Sequence, residues 1–188
     1  MTGADIRAAA EAMTGILAPL TGRDWSGPAG DLEWSCWTTV AHVAHDLLAY
    51  AGQVAGRPTD GYLPYDLRVR SDAAPAEVLR VVDACAQLLA GAVDGAEPDV
   101  RAWHWGPTDP GGFAAMGVAE ILLHTHDATR GLGADWQMPA DLSAAVVRRL
   151  FPDAPAGRPA EVLLWLTGRA ALGDRPRRTS WSWRAAVS

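Results

Sequence analysis

The sequence predicts an all-α protein: a four-helix bundle with extra C-terminal helices and a short terminal strand. Three observations predict it. Four long segments carry apolar residues at a period near 3.6. The stretches between them are long and punctuated by Gly and Pro. Strict alternation occurs in one short stretch only, Thr179-Ser180-Trp181-Ser182-Trp183-Arg184, near the end of the chain. The 188 residues fit a single domain, with a bundle core over 1–135 and an appendage over 136–188.

The first helix is expected over about 5–17, where Ile6, Ala9, Ala10, Met13 and Leu17 form one stripe and Pro19 and Gly22 end it. A loop rich in Gly, Asp and Trp follows over 23–36. The second helix begins near Trp37-Thr38, with Ser35 or Thr38 as its cap, and runs to about Ala55. Its expected stripe is Trp37, Val40, Ala44, Leu48 and Ala51. His45 lies at the edge of that stripe and His42 nearly opposite Ala44, so His45 reads as the more inward of the two. Residues 56–72 form a loop long enough to suggest a functional role. Pro75 opens a third helix to about Val93, striped by Val78, Val81, Val82, Cys85, Leu88 and Leu89. After a second loop over 95–112, the fourth helix spans Phe113 to Gly131 or Gly133. A fifth helix covers about 139–151 and a sixth about 160–172.

Composition narrows the function classes. Hydrophobic residues make up 49% and charged residues 20%, enough for a sizeable core. A net charge of −6 argues against a nucleic-acid partner. No apolar run approaches the ~20 residues of a membrane span, and the N-terminus has no signal-like pattern, so a cytoplasmic protein is expected. Two cysteines are too few for a disulfide framework or a Cys-based zinc site. Cys85 falls on an apolar stripe, and nothing orients a base towards Cys36 at its helix start. Every basic residue among the 16 is Arg, which reads as the codon bias of a GC-rich genome. Nine Trp are many for this length, and those of the 95–112 loop are candidates to wall a pocket.

The chemistry concentrates in Gly117-Val-Ala-Glu120-Ile-Leu-Leu-His124-Thr-His126-Asp127. This helix is apolar on nearly every side. Glu120 and His124 nevertheless share a face about 40° apart, and Asp127 returns to it. Burying such groups is costly without a partner. A divalent metal is one partner, because Glu-x-x-x-His on a helix lets two side chains reach one ion. A buried Glu–His hydrogen bond is the other reading of the same residues. Helices 2 and 4 each bring an inward polar group, the arrangement by which bundles hold a metal between facing helices.

Three segments then match one family in order and spacing. Trp37-Thr-Thr-Val-Ala-His-Val-Ala-His45, Glu120-Ile-Leu-Leu-His124-Thr-His-Asp127-Ala-Thr-Arg-Gly-Leu-Gly133 and Val162-Leu-Leu-Trp-Leu-Thr-Gly-Arg169 resemble motifs of DinB-like proteins. The resemblance is in particular to the N-terminal domain of mycothiol-dependent maleylpyruvate isomerase. It implies a DinB-like bundle holding one divalent metal ion, usually zinc, on His45, Glu120 and His124. An open coordination position would activate a small thiol such as mycothiol as co-substrate. Arg169 is implied to bind the carboxylate of a small acidic electrophile, and Asp127 to orient His124. The composition is compatible with a mycothiol-making, actinobacterial host. A monomer or homodimer is expected, with no nucleic-acid or membrane partner.

The chain departs from the two-domain isomerase by its short extension beyond Arg169. His42 and His126 are additional histidines and alternative ligands, although His126 lies about 160° from His124 on an ideal helix. A non-catalytic DinB-like protein that binds a metal or ligand without turnover is the main alternative. A His-Asp metal phosphohydrolase would use His45-Asp46 and His126-Asp127, but neighbours on a helix diverge by about 100°.

Overall fold

A computed structural model describes residues 1–187 and contains six α-helices and one two-stranded antiparallel pair. Helix α1 (Gly3–Leu17) starts where the Asp5 carboxylate accepts a hydrogen bond from the Thr2 amide at 2.8 Å. A 3₁₀ turn, Ala18–Leu20, follows it. Helix α2 (Cys36–Gly56) is capped by Ser35, whose hydroxyl accepts from the Thr38 amide at 3.0 Å. Helix α3 (Pro75–Asp94) has Pro at its first position, and the Glu77 side chain satisfies the Ala74 amide at 2.8 Å.

Helix α4 (Pro110–Gly131) begins three residues earlier than the Gly pair suggests. Asp109 caps it by accepting from the Gly112 amide at 2.7 Å, and Pro110 suits the first turn. Of all the helices α4 is the most completely enclosed. Phe113 through Thr125 are all buried, which is why its sequence is apolar on nearly every side. Gly117 lets it approach its neighbours: a Cβ there would meet Leu89 Cδ2 at 2.6 Å and Leu47 Cδ2 at 3.1 Å. Helices α1, α2 and α3 pack around α4.

Helix α5 (Ala140–Leu150) lies on α4, and α6 (Pro159–Leu166) lies on α5. The α6 helix ends well before 172 because Gly168 turns the chain at φ +69° and the Arg169 amide folds back to the Leu164 carbonyl at 2.7 Å. The strand pair is β1 (Ala102–Trp103) with β2 (Pro107–Thr108). The alternating stretch 179–184 runs on without entering a sheet. The tail containing it is fastened by the Arg184 amide to the Leu150 carbonyl at 2.9 Å and the Val187 amide to the Pro107 carbonyl at 2.8 Å. No described helix is long and apolar enough to cross a membrane.

The buried face of α2 is rotated from the expected stripe. Val40, Val43, Ala44, Leu47, Tyr50, Ala51 and Val54 are buried, whereas Trp37 and Leu48 are only partly covered. The face therefore centres roughly 70° round from the expected line. This rotation decides which α2 side chains reach α4.

A candidate metal centre between α2 and α4

Three ligating side chains converge where α2 crosses α4. One ligand atom from each of His42, Glu120 and His124 lies within 4.8 Å of the others. Glu120 and His124 come from successive turns of α4, with Glu120 Oε2 at 3.2 Å from His124 Nε2. Both residues are buried, at 9% and 8% exposure. His42 arrives from α2, and its ring stands edge-on to that of His124 at 5.5 Å.

His45 had been expected as the α2 ligand. The structure brings His42, one turn earlier, to Glu120 and His124, and leaves His45 outside that group. The reason is the rotated face. His42, Asp46 and Tyr50 follow one another at i, i+4 and i+8, so they form a single ridge along the edge of α2 that meets α4. The Asp46 carboxylate lies 3.0 Å from His42 Nε2, and the Tyr50 hydroxyl donates to Glu120 Oε1 at 3.4 Å. His45 points roughly 60° further from that ridge, towards two open cavities. His126 also lies outside the group.

Behind His124 the side chains are tightly tied. His124 Nδ1 meets Asp127 Oδ2 at 3.1 Å. Asp127 is gripped by Arg169, whose Nε donates to Oδ1 at 2.9 Å and whose terminal nitrogen donates to Oδ2 at 2.6 Å. Burial would raise the Asp127 pKa, but hydrogen bonds from His124 and Arg169 hold it below the usual carboxylate range. Burial likewise opposes a charge on His124. Hydrogen bonds to Asp127 and Glu120, and the charges of both, overcome that penalty and raise its pKa to about 9.

Arg169 was expected to hold a substrate carboxylate. Its guanidinium is engaged by Asp127, its side chain is only 10% exposed, and it borders a cavity with Arg177 and Trp181 instead. Asp127 and Arg169 thus fix the imidazole of His124 from behind, leaving Nε2 directed at Glu120.

The open side holds two adjoining cavities that share His45 and Asp66, each lined in part by the loop over 57–74. One, of about 620 Å³, is lined by His45, Asp46, Tyr50, Tyr62, Tyr65 and Asp66 among others. The second, of about 630 Å³, is lined by Trp34, Trp37, His42, His45, Asp66 and Arg68 among others. Trp34 stacks edge-on against His42 at 4.9 Å, so the loop before α2 also walls the centre. From the 95–112 loop, Trp103 packs on Tyr62 at 5.7 Å, while Trp105 is 81% exposed. The sequence pairs Asp46 with His45 rather than His42, and it does not single out Tyr50. Their signal was the four-residue spacing from His42, which becomes visible once the buried face is known.

The donor set fits a divalent ion. Two imidazoles and a carboxylate are zinc-type ligands, and bonds of about 2.0 Å place tetrahedral ligand atoms about 3.3 Å apart. The Glu120–His124 separation of 3.2 Å already matches that spacing. Neither cysteine competes as a nucleophile. Cys36 and Cys85 are buried, and burial pushes both thiols up, Cys85 to about 11.

The profile of the mycothiol maleylpyruvate isomerase N-terminal domain matches residues 6–129. The chain belongs to this family. The match covers α1 through most of α4, and so includes His42, Glu120, His124 and Asp127. No curated protein and no solved structure gives a significant match to the chain.

Proposed function

We propose that this family member is a metal- and thiol-dependent isomerase or transferase acting on a small electrophilic acid. In this reading one divalent ion, zinc by its donor set, is held by Glu120, His124 and an α2 histidine, and that histidine is His42. The observation that carries it is the convergence of His42, Glu120 and His124 beside two open cavities, in a chain of a mycothiol-associated family. An ion held by these three residues would supply the Lewis acidity that lowers a thiol's pKa towards neutral pH.

The chain's own residues divide the remaining work. Asp127 and Arg169 keep His124 Nδ1 occupied, so that Nε2 is the nitrogen presented to the ion. Asp46 occupies the opposite nitrogen of His42, Nε2, so that Nδ1 is the one left for the ion, and Tyr50 holds Glu120. Trp34 and the loop over 57–74 restrict water at the open side. Because Arg169 is engaged by Asp127, we assign the substrate carboxylate to Arg68, an exposed cation bordering the cavity that contains His42.

The test is a zinc-loaded protein offered mycothiol with a panel of electrophiles that includes maleylpyruvate. Turnover that disappears with chelator and returns with metal is the expected outcome. Stoichiometric metal without turnover of any of these would replace this reading with that of a non-catalytic metal-binding protein.

A further inference from the structure

Three tyrosines line the 620 Å³ cavity, and hydrogen bonding distinguishes them. The Tyr50 hydroxyl donates to Glu120 Oε1 at 3.4 Å, and the Tyr65 hydroxyl donates to the Leu48 carbonyl at 3.0 Å. Their protons are committed. Tyr62 has a different partner: its hydroxyl oxygen sits 2.5 Å from His104 Nδ1. A phenol and an imidazole nitrogen can share a hydrogen bond in either direction, so the tautomer of His104 decides which group gives the proton.

That tautomer is dictated from the other side of the ring. Trp183 Nε1 lies 3.3 Å from His104 Nε2. An indole N–H only donates, so Nε2 must accept and carry no proton. A neutral imidazole then has its proton on Nδ1, directed at the Tyr62 oxygen. The ring is neutral because burial pulls the His104 pKa down. With Nδ1–H donating to it, Tyr62 cannot donate back along the same line. Among the described residues no other acceptor lies within hydrogen-bonding distance of the Tyr62 hydroxyl.

We propose that Trp183, from the C-terminal tail, locks His104 as its Nδ1–H tautomer, so that Tyr62 presents its hydroxyl proton to a carbonyl or enolate oxygen of a ligand in this cavity. His104 and Trp183 are positioning residues, and Tyr62 is the group that touches the ligand. The assignment gives the appendage a part in the site. The segment holding Trp183 is fastened to α5 by Arg149, which donates to the Ala185 carbonyl and to the α4 cap Asp109, each at 2.7 Å, and to β2 by the Val187 amide on the Pro107 carbonyl. Burial, with the nearby charges of Asp46 and Glu120, pushes the Tyr62 phenol well above its ordinary range, so it remains a donor at neutral pH. In the reaction proposed above, such a donor stabilises negative charge as it develops on the substrate's oxygen.

The test uses the full chain and requires no turnover. Proton–nitrogen correlation spectra of the histidine rings report the tautomer directly. The wild type is expected to show His104 as Nδ1–H. Trp183→Phe keeps the ring but removes the donor, and should bring out the Nε2–H form. Tyr62→Phe should leave Nδ1–H in place, because the lock comes from the tail. A wild-type Nε2–H ring, or a tautomer that follows Tyr62→Phe and ignores Trp183→Phe, would overturn the assignment. For the ligand contact, N-methylacetamide serves as a neutral carbonyl probe. The Cζ resonance of Tyr62 should move saturably on its addition, and the movement should be lost in Trp183→Phe. No movement in the wild type would end the donor role. Both readouts are independent of the metal, so a failed turnover assay and a failed tautomer lock are separate results.

Discussion

The two sides of the candidate centre are built on different principles. The α4 side is enclosed: Glu120, His124 and Asp127 lie in a helix buried on nearly every face, and Arg169 closes the chain of hydrogen bonds behind them. The α2 side is half open, with His42 and His45 about one-third exposed and facing cavities rather than core. An enclosed charged group must be paired, so α4 has one workable arrangement. A half-exposed group is solvated whichever way it points, so α2 carries two histidines and only the rotation of the helix distinguishes them. Rigidity and specificity in this site therefore come from opposite walls.

The sharpest way to break that contrast is at the metal. Removing His42 or His124 by substitution with Ala should take metal content from about one ion per chain to less than about a tenth, since a three-ligand site does not survive on two. His45→Ala should leave the content largely unchanged. Elemental analysis of the three variants decides it, and retention of metal in His42→Ala with loss in His45→Ala would show that the α2 ridge has been misassigned.

Arg169→Ala tests the enclosed side through stability. It leaves Asp127, which is 3% exposed, with His124 as its remaining donor, and should destabilise the fold by roughly 2–4 kcal/mol, between the loss of charged hydrogen bonds and the breaking of a buried pair. Denaturant titration measures this. A loss below about 1 kcal/mol would mean that water reaches Asp127 and the wall is less closed than its geometry indicates.

Asp109 sets the start of the same helix and gives a smaller, pH-dependent effect. Asp109→Ala removes the α4 cap and should cost about 1 kcal/mol. Burial acts to raise the Asp109 pKa, but hydrogen bonds from Arg149 and the Gly112 amide outweigh it and leave it lowered. A lowered folded pKa contributes stability that is present above the unfolded value near 3.9 and is lost as pH falls through the folded value. The wild type should therefore lose more stability than Asp109→Asn between about pH 5 and pH 2. Parallel curves for the two proteins would remove Asp109 from the account.

The smallest effect is expected on the open side. Arg68→Ala should raise KM for an acidic substrate about two- to fivefold, the scale of an exposed ion pair, while metal content and stability stay unchanged. An unaltered KM would leave the carboxylate without its assigned partner.

Much of the enclosed side was legible in the sequence. Glu120, His124 and Asp127 announce themselves because a polar residue in an apolar helix needs a partner, and helical spacing places all three on one face. The expected boundaries of α1 and α3 lie within a few residues of the observed ones for the same local reason: Pro75 and the apolar stripes act within one element. Arg169 was visible as a residue but not as the clasp of Asp127. An arginine before a loop could serve a ligand or a carboxylate of its own chain, and only the turn at Gly168 brings it back to α4.

The helix count, the bundle and the Glu120–His124 pair can be read from the chain alone, because they rest on periodicity and on the cost of burying charge. The α2 ridge of His42, Asp46 and Tyr50, the cavities lined by the 57–74 loop, and the contact from Trp183 to His104 come from the packed fold alone. Each depends on the rotation of one element against another or on a tail returning over the bundle. Such placements are set by packing across long stretches of chain, on which the local pattern around any one residue carries no information.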